Sequence, residues 1–362
     1  MHGRSIQLLG LLLLAAGCAE EVDRDSPGSD SVSPRDGTAT DDASRPRDGG
    51  GGGDAPASTD GSNPGGQPTI GDCTVFPSGL PSDTDLRAFN ADISGLPVHP
   101  DSDAIVAWIG ADTELHRDFG SGDNGIPLTV VAAGEPLVEV RFLDFGDESD
   151  PGPEGWITAD ESTRYPIPGS AAVESGSDRH VLVADTGRCQ LFELFDAEWT
   201  GSRWDAAGGA VFDLRTGALR PIGWTSADAA GLPMIPGLVR YEEVAAGRIE
   251  HALRFTVRAT RRAFILPATH MTSTGSDPEM APMGMRFRLK ASVDISGFST
   301  VNRVILTALK RFGMFVADNG ADWFLSGAPN PAWDDDDLSN LNQIKGSDFE
   351  VVDTGPIETS YP

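Results

Sequence analysis

Cys189-Gln190-Leu191-Phe192-Glu193-Leu194-Phe195-Asp196-Ala197-Glu198-Trp199 decides the fold class. Taken as a strand, it alternates so that Cys189, Leu191, Glu193, Phe195, Ala197 and Trp199 share one face. Strand-like runs flank it, 180–185 before and 209–214 after, the second closed by the turn residues Thr216-Gly217. Further on, 248–258 alternates, with Ile249, His251, Leu253, Phe255 and Val257 opposite Glu250, Arg254 and Arg258. Runs at 263–268 and 285–295 continue the pattern, 127–132 and 137–142 precede it, and 349–352 reads as a last strand. Short turns with no helical crossover predict a mainly β fold, an antiparallel β-sandwich of jelly-roll type with a few short peripheral helices. Ser102 or Asp103 caps one such helix, with Ile105, Trp108 and Ile109 as its apolar face. Residues 300–312 form a second, and Asp334 to Asp337 begin a third that reaches Ile344. Asn319-Gly320 predicts a hairpin between 314–317 and 323–325.

The N-terminal part has a different composition. Residues 1–18 combine Arg4, a short apolar run from Leu8 to Leu14 and the small-residue end Ala15-Ala16-Gly17-Cys18, the pattern of an export signal. The run is too short to span a bilayer. The Cys after Ala-Ala-Gly resembles a bacterial lipoprotein signal, which implies acylation of Cys18; in the enterobacterial sorting rule, Ala19 then favours the outer membrane. Residues 19–71 hold few apolar side chains among Asp, Ser, Pro and Gly, with Gly49 to Gly53 unbroken. They read as a disordered tether, and 72–362 as a single large β-rich domain.

With 55 Asp and Glu against 27 Lys and Arg, the chain carries a formal charge of −28. That excludes nucleic acid as a natural partner, since phosphate binding needs clustered Lys and Arg. The membrane is reached through the lipid anchor only. In an oxidising compartment Cys73 and Cys189 are expected to pair as a disulfide, with two buried thiols as the alternative. No metal motif is present and no cofactor is expected, a loosely held divalent cation excepted.

Several segments, 96–99 with 115–120, 223–241, 285–298 and 309–329, resemble a widespread family of secreted bacterial proteins to which no activity is attached. The resemblance implies an extracellular protein and transfers no catalytic residue. Some members carry carbohydrate-binding modules, which points toward polysaccharide by association.

The candidate chemistry gathers around the loop Gly223-Trp224-Thr225-Ser226-Ala227-Asp228-Ala229-Ala230-Gly231-Leu232-Pro233. Thr225 and Asp228 match a helix capping box, so a one-turn helix competes with a functional loop. Functionally, Trp224 is a sugar-stacking platform and Asp228 a carboxylate at a cleft rim. Glu193, sharing a face with Leu191 and Phe195, is either a buried acid of raised pKa or a residue turned outward. Glycoside hydrolysis requires two carboxylates, and Glu193 with Asp228 is the expected pair, Asp196 and Asp318 being further candidates. His251 and His270, on or beside neighbouring strands, are candidate proton shuttles, although a lone His is more often a satisfied core residue. His180 is a candidate substrate contact. Arg286 and Lys290 are candidates for a cationic groove, the arrangement of a lyase for acidic polysaccharide. The expectation is a carbohydrate-active glycoside hydrolase of extracellular polysaccharide, the alternatives being that lyase or a non-catalytic carbohydrate-binding or envelope-interaction protein.

Overall fold

The central run becomes a strand buried on both faces. In the computed structural model, which describes residues 67–77, 85–272 and 275–362, Leu191, Phe192, Glu193 and Leu194 are all sealed from solvent. The run breaks after Phe195, where Asp196 turns the chain at a φ of 49°, leaving Gln190–Phe195 (β8) and the short Glu198–Trp199 (β9).

Strand β8 lies between Gly208–Asp213 (β11) and Val181–Asp185 (β7), and β7 pairs with Leu128–Val131 (β4) at the edge. One face of this sheet, with Leu182, Ala184, Leu191, Ala210 and Phe212, belongs to the main core. The other, with Val181, Val183, Phe192 and Leu194, closes a smaller core against Val140, Phe142, Tyr165 and Trp204. Those last residues come from a second four-stranded sheet of Ser162–Tyr165 (β6), Val138–Phe142 (β5), Trp204–Ala206 (β10) and β9.

The largest sheet has six strands in the order Phe349–Val352 (β18), Arg286–Leu289 (β15), Met314–Asn319 (β16), Leu253–Val257 (β12), Phe324–Ser326 (β17), His116–Asp118 (β3). Helix Ser102–Ile109 (α1) packs on β18, and Thr300–Arg311 (α3) on β15. The Ser299 hydroxyl caps α3 by accepting the Asn302 N–H, and Val304, Ile305, Leu306, Ala308 and Leu309 form its buried side. Two small pairs, Thr69–Ile70 (β1) with Cys73–Thr74 (β2) and Arg261–Phe264 (β13) with Pro282–Met283 (β14), complete the strands. Helices Tyr241–Ala245 (α2) and Asp335–Leu338 (α4) are short, and Asp334 caps α4 as its charge run implied.

The chain is thus mainly β with a few short helices, but its sheets are mixed rather than purely antiparallel. Pairs β4/β7, β5/β10, β12/β16 and β3/β17 run parallel. A parallel pair needs a crossover, and α3 lies in the one from β12 to β16. The Asn319-Gly320 hairpin does not form, because β12 is inserted between β16 and β17 and takes the hydrogen bonds of both. Local turn chemistry yields there to burial of Phe255 between the two strands.

All described residues fall in the unit Ser58–Pro362. The expected signal, the expected acylation site Cys18 and nearly all of the expected tether lie outside them. At the tether's end Ile70 is buried, and Thr69–Ile70 pairs with Cys73–Thr74, so the body's first strand begins at Thr69. Among the described residues no helix is long and apolar enough to cross a membrane.

Cys73 and Cys189 form the expected disulfide, with Cα atoms 5.5 Å apart and 116 positions between them in sequence. It ties the first hairpin to the start of β8. Reduction is expected to cost about 2–4 kcal/mol, because it releases a long loop in the unfolded chain. Denaturation midpoints with and without reductant measure this, and identical midpoints would refute it.

Candidate functional site

One face of the six-stranded sheet carries a row of chemically useful side chains. His116 pairs with Phe324, Phe324 with Thr256, and Thr256 with Asp318, across four adjacent strands. A register shift between Phe255 and Thr256 brings Asp318 into that row in place of Ala317. Two residues along each strand, and therefore on the same face, stand Asp118, Ser326 and Arg254.

Arg254 is the anchor. Its Nη2 and Nε donate to the two oxygens of Asp228 at 2.9 and 3.2 Å, and its Nη1 donates to the Ser326 hydroxyl at 2.6 Å. Both partners of the ion pair are buried, Arg254 at 4% and Asp228 at 1% exposure. Burial alone would lower the Arg254 pKa; Asp228, Asp318 and Glu174 outweigh it and raise it. Burial likewise pushes Asp228 up, against the Arg254 charge.

The loop 223–233 delivers Asp228. The Ser226 hydroxyl ties the loop to itself, accepting the Asp228 N–H at 2.9 Å and donating to the Leu232 carbonyl at 2.7 Å. Ala230 N–H donates to the Ala317 carbonyl of β16, which docks the loop on the sheet. Gly231 has a φ of 73°, and a Cβ there would sit 2.1 Å from the Thr269 hydroxyl, so only glycine fits. No helical turn forms, and the Asp228 carboxylate goes to Arg254 instead of closing a capping box.

His180 and Glu174 approach from the central sheet. His180 Nδ1 lies 2.5 Å from Glu174 Oε2, and Nε2 lies 3.0 Å from the Ala227 carbonyl. A buried ring with an oxygen acceptor at each nitrogen is best satisfied as the imidazolium. Accordingly, burial lowers the His180 pKa but Glu174 overcomes it and raises it. Burial raises Glu174, and His180 with Arg254 overcomes that to hold it below its ordinary value. Asp318, half-buried, moves the other way: burial and the nearby Asp228 charge push it up to about 7. Burial also raises the half-buried Asp118.

Of the residues expected from sequence, Glu193, Asp228 and His180 do meet here, with Asp318. Glu193, however, is fully buried and its carboxylate accepts the N–H groups of Met234 and Ile235 at 3.0–3.2 Å. Burial raises its pKa to about 7, against those two N–H donors. It therefore anchors the turn at 235–237 and is not placed as a catalytic acid. Glu193→Ala is expected to cost about 1–3 kcal/mol by leaving both buried N–H donors without an acceptor, whereas the amide oxygen of Glu193→Gln keeps one for both. A urea titration yielding wild-type stability would rule out this anchoring role.

Other expected residues lie elsewhere. His251 is 1% exposed, with Nδ1 on the Ala252 carbonyl and Nε2 at 3.1–3.2 Å from the Glu243 carboxylate, which Arg240 also holds. His270 Nδ1 bonds the Ala229 carbonyl and its ring stacks on Tyr361, so it supports the loop from outside. Trp224 is half-buried beside the Arg220 guanidinium. Asp196 forms a surface pair with Arg179. The cationic groove is absent: Arg286 is buried and donates to the carbonyls of Ala88, Ala91 and Phe312, and Lys290 donates to the Ser347 carbonyl. The half-polar face of that strand is covered by chain, not by solvent.

Arg254, Glu174, Asp118 and Ser326 were not singled out from sequence. Arg254 had a signal, a cation on the supposed solvent face of a strand that turns out to be buried on both sides. Glu174 lies in an irregular loop and had none. A cleft of about 380 Å³ opens elsewhere, lined by Thr69, Leu128, Arg240, Tyr241, Glu243 and Asn330. Arg240 and Glu243 pair with each other there beside Glu242, whereas the Arg254 cluster gathers Asp118, Glu174, Asp228 and Asp318. Among the described residues, no group of three His, Cys, Asp or Glu is arranged to hold a metal ion. Comparison with protein-family models, curated proteins and solved structures gives no match.

Proposed function

We propose that the protein is a surface-anchored glycoside hydrolase of neutral extracellular polysaccharide, exported and held by a lipid on Cys18. The arrangement that carries this reading is the loop of Asp228, held by Arg254 and by the Asp318 carboxylate that accepts the Ala229 N–H, with the His180–Glu174 pair docked on the Ala227 carbonyl. Asp318 is raised to about 7 and Glu174 is held below its ordinary value, and both act electrostatically on Arg254. Environments that split two carboxyls in this way assign an acid and an ionised partner. Asp318 gives its proton to the leaving glycosidic oxygen. Glu174, oriented by the His180 imidazolium, is the carboxylate that acts at the anomeric centre, directly or through water. Arg254 and Asp228 position the site.

Neutral substrate follows from charge. Even with Asp318 and Glu193 protonated, Asp118, Glu174 and Asp228 outnumber Arg254 and His180, so a uronate would meet net repulsion. With Arg286 buried against backbone carbonyls, only Lys290 is left of the two cations proposed for a lyase groove, which speaks against that alternative.

A reducing-end assay over neutral and acidic polysaccharides tests the proposal, using the wild type, Asp318→Asn and Glu174→Gln. Cleavage of a neutral glycan that both substitutions suppress is the expected result. Wild-type turnover in both variants would remove the assigned pair, and no cleavage of any glycan would leave the non-catalytic binder.

A further inference from the structure

The row that ends at Asp318 begins with an aromatic pair that the reaction does not use. His116 and Phe324 stack with centroids 4.0 Å apart and planes 26° from parallel. His116 is exposed and Phe324 half-buried, so the imidazole forms the outer leaf of a flat two-ring shelf. Strand β3 is the edge of its sheet, where a charged or polar side chain is the ordinary protection. His116, Arg117 and Asp118 are all of that kind, and His116 also presents a ring face. Asp118 follows two residues along the same strand and on the same face, about 7 Å away.

We propose that His116 and Phe324 form a stacking subsite for one sugar ring of a neutral glycan, adjoining the carboxylate site. This rests on the hydrolase reading given above and adds a place for the chain beyond the scissile bond. A pyranose offers an apolar face of C–H groups, which suits the negative face of an aromatic ring. The shelf is continuous with the site through Thr256 and through Asp118, so a ring seated on it and a bond held at Asp318 belong to one extended substrate. The setting selects the occupant by charge. Asp118 beside the shelf and Glu174 beyond it repel an anionic sugar, whereas a neutral ring offers hydroxyls to both carboxylates. Partial desolvation lowers the His116 pKa against the pull of Asp118, which favours the neutral ring.

The test is calorimetric binding of neutral oligosaccharides of gluco, xylo, manno and galacto configuration to the full chain carrying Asp318→Asn. At least one is expected to bind. Adding His116→Ala at the exposed edge should weaken that affinity about two- to tenfold, the scale of one stacking contact. Phe324→Leu should weaken it similarly, and His116→Phe should restore it. Unchanged affinity in both weakened variants would overturn the subsite while leaving the hydrolase reading intact. If no member of the panel binds Asp318→Asn, the glycan reading fails and the subsite fails with it.

Discussion

Asp228→Ala is expected to lower the free energy of unfolding by about 3–5 kcal/mol, the cost of leaving a buried charge without its partner. Asp228 and Arg254 are 1% and 4% exposed, and their bond is two-pronged, so solvent screens little of the loss. Small domains have about 5–15 kcal/mol in total, so this one change removes a large fraction. Asp318 and Glu174 also face the Arg254 charge and set a floor under the damage. Asp228→Asn keeps an oxygen for one N–H and should cost less. The measurement is a urea titration at fixed m, in which the midpoint moves and the slope does not. A midpoint that stays in place for Asp228→Ala would mean that Arg254 finds water or another carboxylate, and that the pair does not organise the site.

Asp318→Asn is expected to cut kcat by about 10²–10⁴-fold with little change in KM, the range for losing a positioned general acid. The amide oxygen keeps the acceptor for the Asn319 N–H, and besides the proton only the long 3.4 Å contact from the Ala229 N–H is given up. The pH profile gives the sharper reading. Asp318 acts protonated, and its pKa is raised to about 7, so activity should hold below neutrality and fall as pH rises through about 7. Asp228 is one of the charges that raise it, so Asp228→Asn should move this basic limb to lower pH. A limb that ignores Asp228, or an Asp318→Asn enzyme with full turnover, would discard the assignment.

The two carboxyls raised to about 7, Glu193 and Asp318, leave a trace in stability. Glu193 and Asp318 bind protons more tightly folded than unfolded, since both folded pKa values are raised to about 7. Their contribution is therefore full below about pH 4, the unfolded carboxyl range, and is lost as pH rises through about 7.

Much of the architecture was legible because apolar spacing reports local structure directly. Strands β4, β5, β7, β8, β11 and β18 and helices α1 and α3 appear where their periodicity places them, trimmed at the ends. The disulfide was expected from an even cysteine pair together with the expected export of the chain. Alternation set Glu193 on a face with Leu191 and Phe195 and left its burial open, and burial alone does not say whether a carboxyl meets substrate or backbone. Met234 and Ile235, some forty residues later, answer that. Arg254 looked solvated because alternation has only two sides and does not reveal that both are covered.

What the sequence by itself determined is the mainly β class, the positions of its strands and the few short helices. It also marked a small-residue loop carrying Asp228. These depend on contacts a few residues apart, which side-chain period and turn chemistry record. Only the tertiary structure decided that the sheets are mixed, that β12 separates β16 from β17, and that Asp118, Glu174, Asp228, Arg254 and Asp318 share one site. Those pairings join residues tens to hundreds of positions apart. Their energies come from burying charge against charge, and no local pattern in the chain encodes which partner will be there.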